Sequence, residues 1–430
     1  MVDGKGQCYM IREVEERNDI TANETGDADS VCFLSFDFYP SGLNRLAEAL
    51  VENGCRVHVI CLRGVGEPKH ELSEGVEIHR LRLGRREPLR ERASIARYLF
   101  DFNVFLVAAS LKLLSLDVKR GFRVIQVSAP PDCLVFAALV PKLAGAKAVL
   151  HIREPMPELF GVLFEGWYRR LFVAAIELAE KLSVKFADRV ITATREIRDT
   201  LGKRGADVNK ISVVVSVPDE RIFRLDRYDH LADKIANIKR EERRAGKFRV
   251  VYCGAIEERD GVDVMIRGLA ALKNDIPGIE LVLVGDGAYR GAAESLAIDL
   301  KVQDNVTFLG DVSFDARIEE ILTADAAVVP PKKNSFTTLV HPKCLYQFVA
   351  LQKPVVASRL GSLEAYFPDD TILYFDAGNA DDLADKLKFV FGHPEEVAAR
   401  VERTSEVYET YRWDREKRKY LGVYDSLLSP

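Results

Sequence analysis

No G-x-x-x-x-G-K-[ST] run occurs among the 430 residues, so a loop that cradles ATP for hydrolysis is not expected. No G-x-G-x-x-G follows the first strand-like segment either, which argues against an NAD or FAD enzyme. The seven cysteines are odd in number and form no C-x-x-C pair. Cys32, Cys61, Cys133 and Cys253 sit in apolar runs, the setting of small core residues in a reducing compartment. The histidines, His151 and His341 among them, read as isolated, and with no H-x-x-x-H and no acidic cluster no metal is expected. The net charge of -5 shows no basic excess, so nucleic acid is not an expected partner. Long hydrophobic runs are missing as well. FNVFLVAASLKLLSL is broken by Lys112 and CLVFAALVPKLAGAKAVL by Pro141 and Lys142, which makes them core helices rather than spans of about 20 apolar residues. Residues 1–29 are polar and acidic, lack the apolar core of a secretory signal and read as a disordered tail.

What the chain does contain is a long alternation of short β-rich runs and helical patterns, the mark of parallel α/β sheets with helices on both faces. SVCFLSFD, RVHVICL, RVIQVSA, KAVLHIR, DRVITAT and KISVVVS supply one doubly wound, Rossmann-like domain over 30–223. A charged stretch with few strand formers, 224–247, reads as a linker. A second series begins at FRVVYCG and continues through IELVLVG, NVTFLG, AAVVPP, PVVAS and TILYF, a second Rossmann-like domain over 248–399. Its first helix keeps Val262, Met265, Ile266, Leu269 and Leu272 at helical spacing, one face for a sheet. Residues 400–430, with Trp413 and Tyr420, read as helices returning toward the first domain. Two such domains in tandem would face each other across a cleft, with sites beyond the carboxyl ends of the strands.

The loops of the second series collect the candidate chemistry. GAIEERDG offers Gly254 and the permanent planar cation of Arg259, and VGDGAY offers Gly285 and Gly287. Both are consistent with phosphate contact and equally with ordinary tight βα turns. PPKKNSFTTLVH then leads to a helix opened by Pro342, where a first-turn proline sacrifices no hydrogen bond and free N–H groups face anions. Lys332, Lys333 and Lys343 add positive charge, and the coincidence with a strand end favours a diphosphate. In the first series, RLRLGRREPLRERASIAR carries seven arginines between Arg80 and Arg97 against Glu87 and Glu91. Two readings stay open: a solvated face, or a patch for an anionic membrane surface or a phosphate-bearing acceptor.

From about residue 30 onward the sequence resembles the family 4 glycosyltransferases. The resemblance runs through VVYCGAIEERDGVD, ELVLVGDGAY, VTFLGDV, ADAAVVPP, QKPVVAS and LEAYFPDDTILYFDAGNADDLA, and in the first half through QVSAPPDCLVFAALVPKLAGAKAVLHIREPMPELF and KFADRVITAT. It implies the GT-B fold, transfer with retention and a nucleotide-sugar donor. It implies that Gly254 and Arg259 approach the donor diphosphate and that the Pro342 helix points at it. Phe308 and Leu309 fall where the family builds part of the nucleoside pocket. Glu154 and Glu158 fall near the acceptor side, with Arg153 where the family usually has His and Glu154 where it has Asp.

Against that pattern stand several departures. Gln347 occupies the position of the ribose-binding Glu, Cys344 that of a Lys near the phosphates with Lys343 one place earlier, and Leu339 that of the first Glu of an E-x7-E pair. Asp260 replaces a basic residue beside Gly261, and the usual glycine-rich first loop is reduced to PSGLN with Gly42 alone. The expectation is therefore a hexosyltransferase with Arg259, Glu154 and Lys343 at the reaction centre and no cofactor beyond the nucleotide sugar. A lipid-linked or envelope glycan hydroxyl would be the acceptor, and the location cytoplasmic or peripheral at the inner face of the cell membrane. The alternatives are a catalytically silent GT-B protein that binds a glycan or a partner transferase, and a nucleotide-sugar epimerase.

Overall fold

In the computed structural model, β1 (Ser30–Leu34) is buried along its whole length, and its alternating side chains serve two cores. Cys32 and Leu34 pack with Ile60, Phe105, Ile125 and Val127 on one face, Val31 and Phe33 with Val57, Val59 and Leu50 on the other. A sheet covered on both faces has strands that read as continuous apolar runs, as these do. The structure describes residues 28–429 apart from 37, 39–41, 65, 83–94, 165 and 167. Within them the chain forms two compact units.

The N-terminal unit takes residues up to Ser216 together with Asn334–Val340 and the chain from Arg412 onward. Its order after β1 is α1 (Leu43–Glu52), β2 (Arg56–Leu62), β3 (His70–Ser73), β4 (Val76–Leu81), α2 (Ile95–Arg120), β5 (Val124–Ala129), α3 (Leu139–Leu143), β6 (Lys147–Ile152), α4 (Met156–Leu163), α5 (Arg169–Phe186), β7 (Arg189–Thr192), α6 (Arg195–Lys203) and β8 (Ile211–Val213). The sheet runs β3-β4-β2-β1-β5-β6-β7-β8, parallel throughout except for β3, which pairs antiparallel with β4. β3 is absent from the sequence reading because its four residues, HELS, alternate in exposure at a sheet edge and carry no apolar run.

The C-terminal unit takes Val217–Lys333 and His341–Tyr411. It contains α7 (Ala232–Arg244), β9 (Lys247–Cys253), α8 (Val262–Leu272), β10 (Gly278–Val284), α9 (Arg290–Asp299), β11 (Val306–Gly310), α10 (Phe314–Thr323), β12 (Ala326–Val329), α11 (Lys343–Ala350), β13 (Val355–Ser358), α12 (Gly361–Glu364), β14 (Leu373–Phe375), α13 (Ala380–Gly392) and α14 (Pro394–Tyr408). Its six strands are all parallel, in the order β11-β10-β9-β12-β13-β14. Every residue assigned to the sheet-facing side of α8 from its spacing is buried.

Several boundaries differ from the sequence reading. The expected linker, 224–247, is structured within the C-terminal unit as α7 and the first residue of β9. α7 is docked by charge: Lys239 Nζ donates to the Ala324 carbonyl at 3.0 Å and meets Asp325 at 3.3 Å, and Lys234 pairs with Glu319 at 2.6 Å. Its apolar residues are few, Ile235 and Ile238 beside Lys239 and Glu242 on the half-buried face, which is why it passes for a linker. The segment 400–430 is also divided. α14 stays with the C-terminal unit, while α15 (Trp413–Leu428) joins the N-terminal one. There the Tyr420 and Tyr424 hydroxyls donate to Gln126 Oε1 at 3.0 and 2.8 Å, and Glu416 accepts the Val215 N–H at 2.8 Å.

The tail reading lies outside the described residues up to 27. Ala28 and Asp29 are tied down, Asp29 through its carbonyl to the Arg56 N–H at 2.9 Å. Most of the arginine-rich stretch, 83–94, is likewise outside. Arg80 is not part of any surface patch, being buried and paired with Glu71 at 2.6 Å and Glu67 at 3.2 Å, whereas Arg82 is exposed. The histidines are not isolated. His58 Nδ1 stands 3.4 Å from His79 Nε2 and 3.4 Å from Glu77 Oε2. Burial lowers the His58 pKa and takes that of His79 down to about 3, so both rings are neutral at neutral pH.

Candidate active site

The order of the C-terminal sheet reverses between β9 and β12: the chain runs outward from β9 to β10 and β11, then returns to the other side. Loops leaving the two strands at such a switch point diverge and open a crevice at the carboxyl edge. Here they are the stretch from Gly254 to Gly261 and the stretch that follows Val329. The two are tied together, since Lys332 N–H donates to the Arg259 carbonyl at 2.9 Å and Lys332 Nζ meets Asp263 Oδ2 at 2.9 Å. Gly261 has φ 73°, and a Cβ there would stand 1.9 Å from the Pro330 carbonyl oxygen. Only glycine fits.

The turn after β10 is locked onto the same loop. Gly254 N–H donates to Val284 O at 3.0 Å, Ile256 N–H to Asp286 O at 3.1 Å, and Tyr289 N–H returns to Ile256 O at 2.9 Å. Cβ atoms at Gly285 and Gly287 would lie 2.0 and 2.3 Å from the Gly254 and Ile256 carbonyl oxygens. Backbone packing between loops is thus what demands these glycines. Their effect on any ligand is to set the height of the loop that carries Arg259. At Gly254 the near neighbour is the Tyr252 hydroxyl, 2.7 Å from a notional Cβ.

Around this rim the positive charges are Arg259 and Lys332, both half-buried, and Lys333 and Lys343, both exposed. Asp260 sits among them. Burial pushes its carboxyl up to about 6, with Arg259 pulling down and Glu257 pushing up. Burial, and next the Asp260 charge, push the Cys344 thiol up to about 12, so that it holds no thiolate. Pro342 proves to be the N-cap rather than the first helical residue, and α11 begins at Lys343. The helix start is anchored by His341: Nε2 donates to Ser362 O at 2.7 Å, and Nδ1 accepts from the Tyr346 hydroxyl at 3.0 Å. Burial lowers His341 to about 4, so the neutral ring performs both roles. Gln347 is half-buried one turn into α11, and its amide makes no hydrogen bond among the described residues.

Phe308 and Leu309 lie at the end of β11, where the register with β10 shifts and Gly285 N–H bonds Gly310 O at 2.9 Å. One face of the Phe308 ring is covered by the Arg290 guanidinium, 5.7 Å from the ring centre. The structure therefore brings Gly254, Arg259, Gly285, Gly287, Phe308 and Leu309 to one edge of the C-terminal sheet. Pro342, Lys343 and Gln347 join them on α11, whose Cys344 feels Asp260.

In the N-terminal unit, Arg153 and Glu154 follow β6 at its carboxyl end and are half-buried. Glu158, in the first turn of α4, is committed to Arg204, which also pairs with Glu180 at 2.8 Å and Glu177 at 3.6 Å. This cluster borders a cavity of about 790 Å³ lined also by Arg169, Arg170 and Ser335. Burial pushes Glu180 up to about 7 in spite of Arg204, and Asp132 up to about 8. Asp132 also lines a small cavity of about 200 Å³ walled by Phe102, Met156, Phe160 and Phe172. Gly42 stands apart, with φ 75° and nothing within 4 Å of a notional Cβ, so a left-handed turn rather than a close approach calls for glycine there. Leu339, where the family carries a Glu, packs on the N-terminal core while its carbonyl accepts from Thr194 Oγ1 at 2.6 Å.

The sequence reading missed Asp132, Glu180 and Arg204, which lie 48 and 24 positions apart and share no motif. Only the unusual polarity of Asp132, after PP at a strand end, points to it.

Comparison with known proteins agrees with this layout. A family model described as a glycosyl transferase 4-like domain matches residues 41–215, and one described as glycosyl transferases group 1 matches 233–406. A D-inositol 3-phosphate glycosyltransferase of Pseudarthrobacter chlorophenolicus is 28% identical over 229 residues, 51% of each chain. A GDP-mannose-dependent alpha-(1-6)-phosphatidylinositol monomannoside mannosyltransferase of Mycobacterium tuberculosis is 26% identical over 183 residues, 42% of this chain and 48% of that one. The chain spans about half the length of these curated relatives in the matched regions. Among solved structures, sucrose-phosphate synthase from Thermosynechococcus elongatus superposes with a TM-score of 0.74 at 18% identity, covering 93% of this chain and 99% of that one. Anabaena HepE in complex with UDP-glucose gives 0.68 at 13%, covering 92% and 99%.

Proposed function

We propose that this chain, which belongs to the family 4 glycosyltransferases and has the GT-B fold, moves a hexose from a nucleotide-diphosphate donor to a hydroxyl acceptor with retention. The observation that carries the reading is the rim of the C-terminal sheet: a glycine-locked loop bearing Arg259 at the β9/β12 switch point, with Lys332, Lys333 and Lys343 around it. In the proposed reaction the bond from the anomeric carbon to the diphosphate oxygen breaks and its electron pair leaves with the nucleoside diphosphate. The acceptor oxygen forms its bond on the same face, and its proton passes to the departing phosphate oxygen. Arg259, Lys343 and the N–H groups opening α11 stabilise the growing diphosphate charge, the kind of fixed electrostatic complement that lowers a barrier without reorganising.

Phe308 and Leu309 border the nucleoside, and Gln347 uses its free amide to donate to and accept from the ribose hydroxyls. Glu154 orients the acceptor hydroxyl beside Arg153. For the acceptor we favour a lipid-linked or envelope glycan. The names of the relatives, which act on inositol phosphate or phosphatidylinositol mannoside, support a phosphate-bearing acceptor, and Arg169 and Arg170 at the large cavity suit one. No helix among the described residues is long and apolar enough to cross a membrane. A peripheral, cytoplasmic position is consistent with such an acceptor.

A catalytically silent GT-B protein that binds a glycan or a partner transferase is the second reading, favoured by the half-buried Asp260 and the protonated Cys344 at positions where the family pattern has basic residues. A panel of nucleotide sugars separates the two. Thermal stabilisation by one donor, with nucleoside diphosphate released when acceptor is added, supports transfer. Stabilisation without release supports the silent reading, and no stabilisation by any donor overturns both the donor-site assignment and the transfer reading.

A further inference from the structure

Three strands at one edge of the N-terminal sheet bring four metal-binding side chains to one face. His58 on β2 and Glu77 on β4 are direct partners in the parallel ladder, and His70 on β3 and His79 on β4 are direct partners in the antiparallel one. Glu77 and His79 are two residues apart on the same strand and so point the same way. Partners across a ladder share a face as well, so all four lie on one face; the ligand atoms of His58, Glu77 and His79 come within 4.8 Å of one another, with His70 beside them at the rim. The separations are 3.4 Å for His58 Nδ1 to Glu77 Oε2, 3.4 Å for His58 Nδ1 to His79 Nε2, and 3.9 Å from Glu77 Oε2 to each of His79 Nε2 and His70 Nε2. Ligand atoms ~2.0–2.1 Å from a zinc ion at tetrahedral angles lie ~3.3–3.4 Å from one another.

We propose that His58, His79 and Glu77 hold a zinc ion, with the exposed His70 ring turning in as fourth ligand, and that this site pins the short edge strand β3 to β4 and β2. Three imidazoles and one carboxylate are a borderline donor set suited to zinc, with cobalt as its spectroscopic substitute. His58 and His79 are buried, whereas Glu77 and His70 remain open to solvent with 32% and 56% of their side chains exposed, which gives the ion a way in. Arg120 approaches the other carboxylate oxygen, Oε1, at 3.7 Å, leaving Oε2 directed into the cluster. The edge of the Phe122 ring closes one side of His58. The site involves none of the donor-rim residues, so it stands or falls independently of the proposed transfer.

The test titrates zinc chloride into chelator-stripped full-length protein by calorimetry and follows cobalt(II) by visible absorption. Expected are one zinc per chain, a rise in Tm on zinc addition, and the intense absorption of tetrahedral cobalt. Glu77→Gln should weaken zinc binding by more than ~10-fold. His70→Ala should weaken it too, and because that ring is exposed the variant keeps its fold. His393→Ala, at an exposed histidine elsewhere, should change nothing. Absence of zinc binding, wild-type affinity in both Glu77→Gln and His70→Ala, or the weak spectrum of octahedral cobalt would each overturn the assignment.

Discussion

The proposed donor rim of the C-terminal unit and the polar clusters of the N-terminal unit are built on opposite plans. The rim is backbone: glycines at 261, 285 and 287 let neighbouring loops touch, and one cation is raised on them. The clusters are side chains: Arg204 gathers Glu158 and Glu180 from separate helices near a protonated Asp132, and His58 on β2 meets Glu77 and His79 on β4. A backbone device leaves a compact trace in the sequence, whereas a side-chain cluster is assembled only by folding. The two should also fail differently, the rim losing turnover and the clusters losing stability.

The strongest test of that contrast is Arg204→Ala, which strands two carboxylates in a largely buried setting. A loss of roughly 3–5 kcal/mol in denaturant unfolding is expected, with donor binding by the surviving folded fraction unchanged. A weakened donor affinity would break the contrast. Next is Arg259→Ala, for which nucleoside diphosphate release should fall about 10²–10³-fold, the usual effect of removing one group that stabilises developing charge. Its unfolding midpoint should stay within about 0.5 kcal/mol of wild type, the usual range for changes away from structural features.

A subtler effect concerns pH. Asp132 keeps its proton in the folded state up to about pH 8 but loses it near its ordinary 3.8 when unfolded. Between those limits folding takes up a proton, so this group makes stability fall as pH rises. Asp132→Asn should flatten that slope, read as unfolding free energy at pH 5 and pH 8. The smallest effect is at Gln347. Gln347→Glu should tighten donor binding only a few-fold, since a charge-assisted bond is roughly twice as strong as a neutral one but its net gain in water is modest. An unchanged donor affinity would mean that Gln347 does not face the ribose.

The same contrast explains what could be read in advance. Largely buried parallel strands such as SVCFL and RVHVICL in one sheet and GIELVLV in the other announce both sheets, and the loops at 254–261 and 284–289 announce the rim through their glycines. β3 and α7 went unread because a short edge strand and an ion-paired helix carry too few apolar residues to mark them. The proposed zinc ligands span positions 58 to 79 at spacings of 12, 7 and 2, which match no helix or zinc loop. They become neighbours only through ladder register. Leu339, where the family pattern has a Glu, is partly buried and packs against the N-terminal core, a contact visible only in the fold.

The return of α15 to the N-terminal unit bears on how the molecule comes into being. Gln126, Val57 and Val59 wait for Tyr420 and Tyr424, which are translated after the whole C-terminal unit. The half made first is therefore finished last. On the ribosome part of one face of its sheet stays uncovered while the C-terminal unit completes its own core, and a stop codon near 412 would leave the N-terminal unit without that cover.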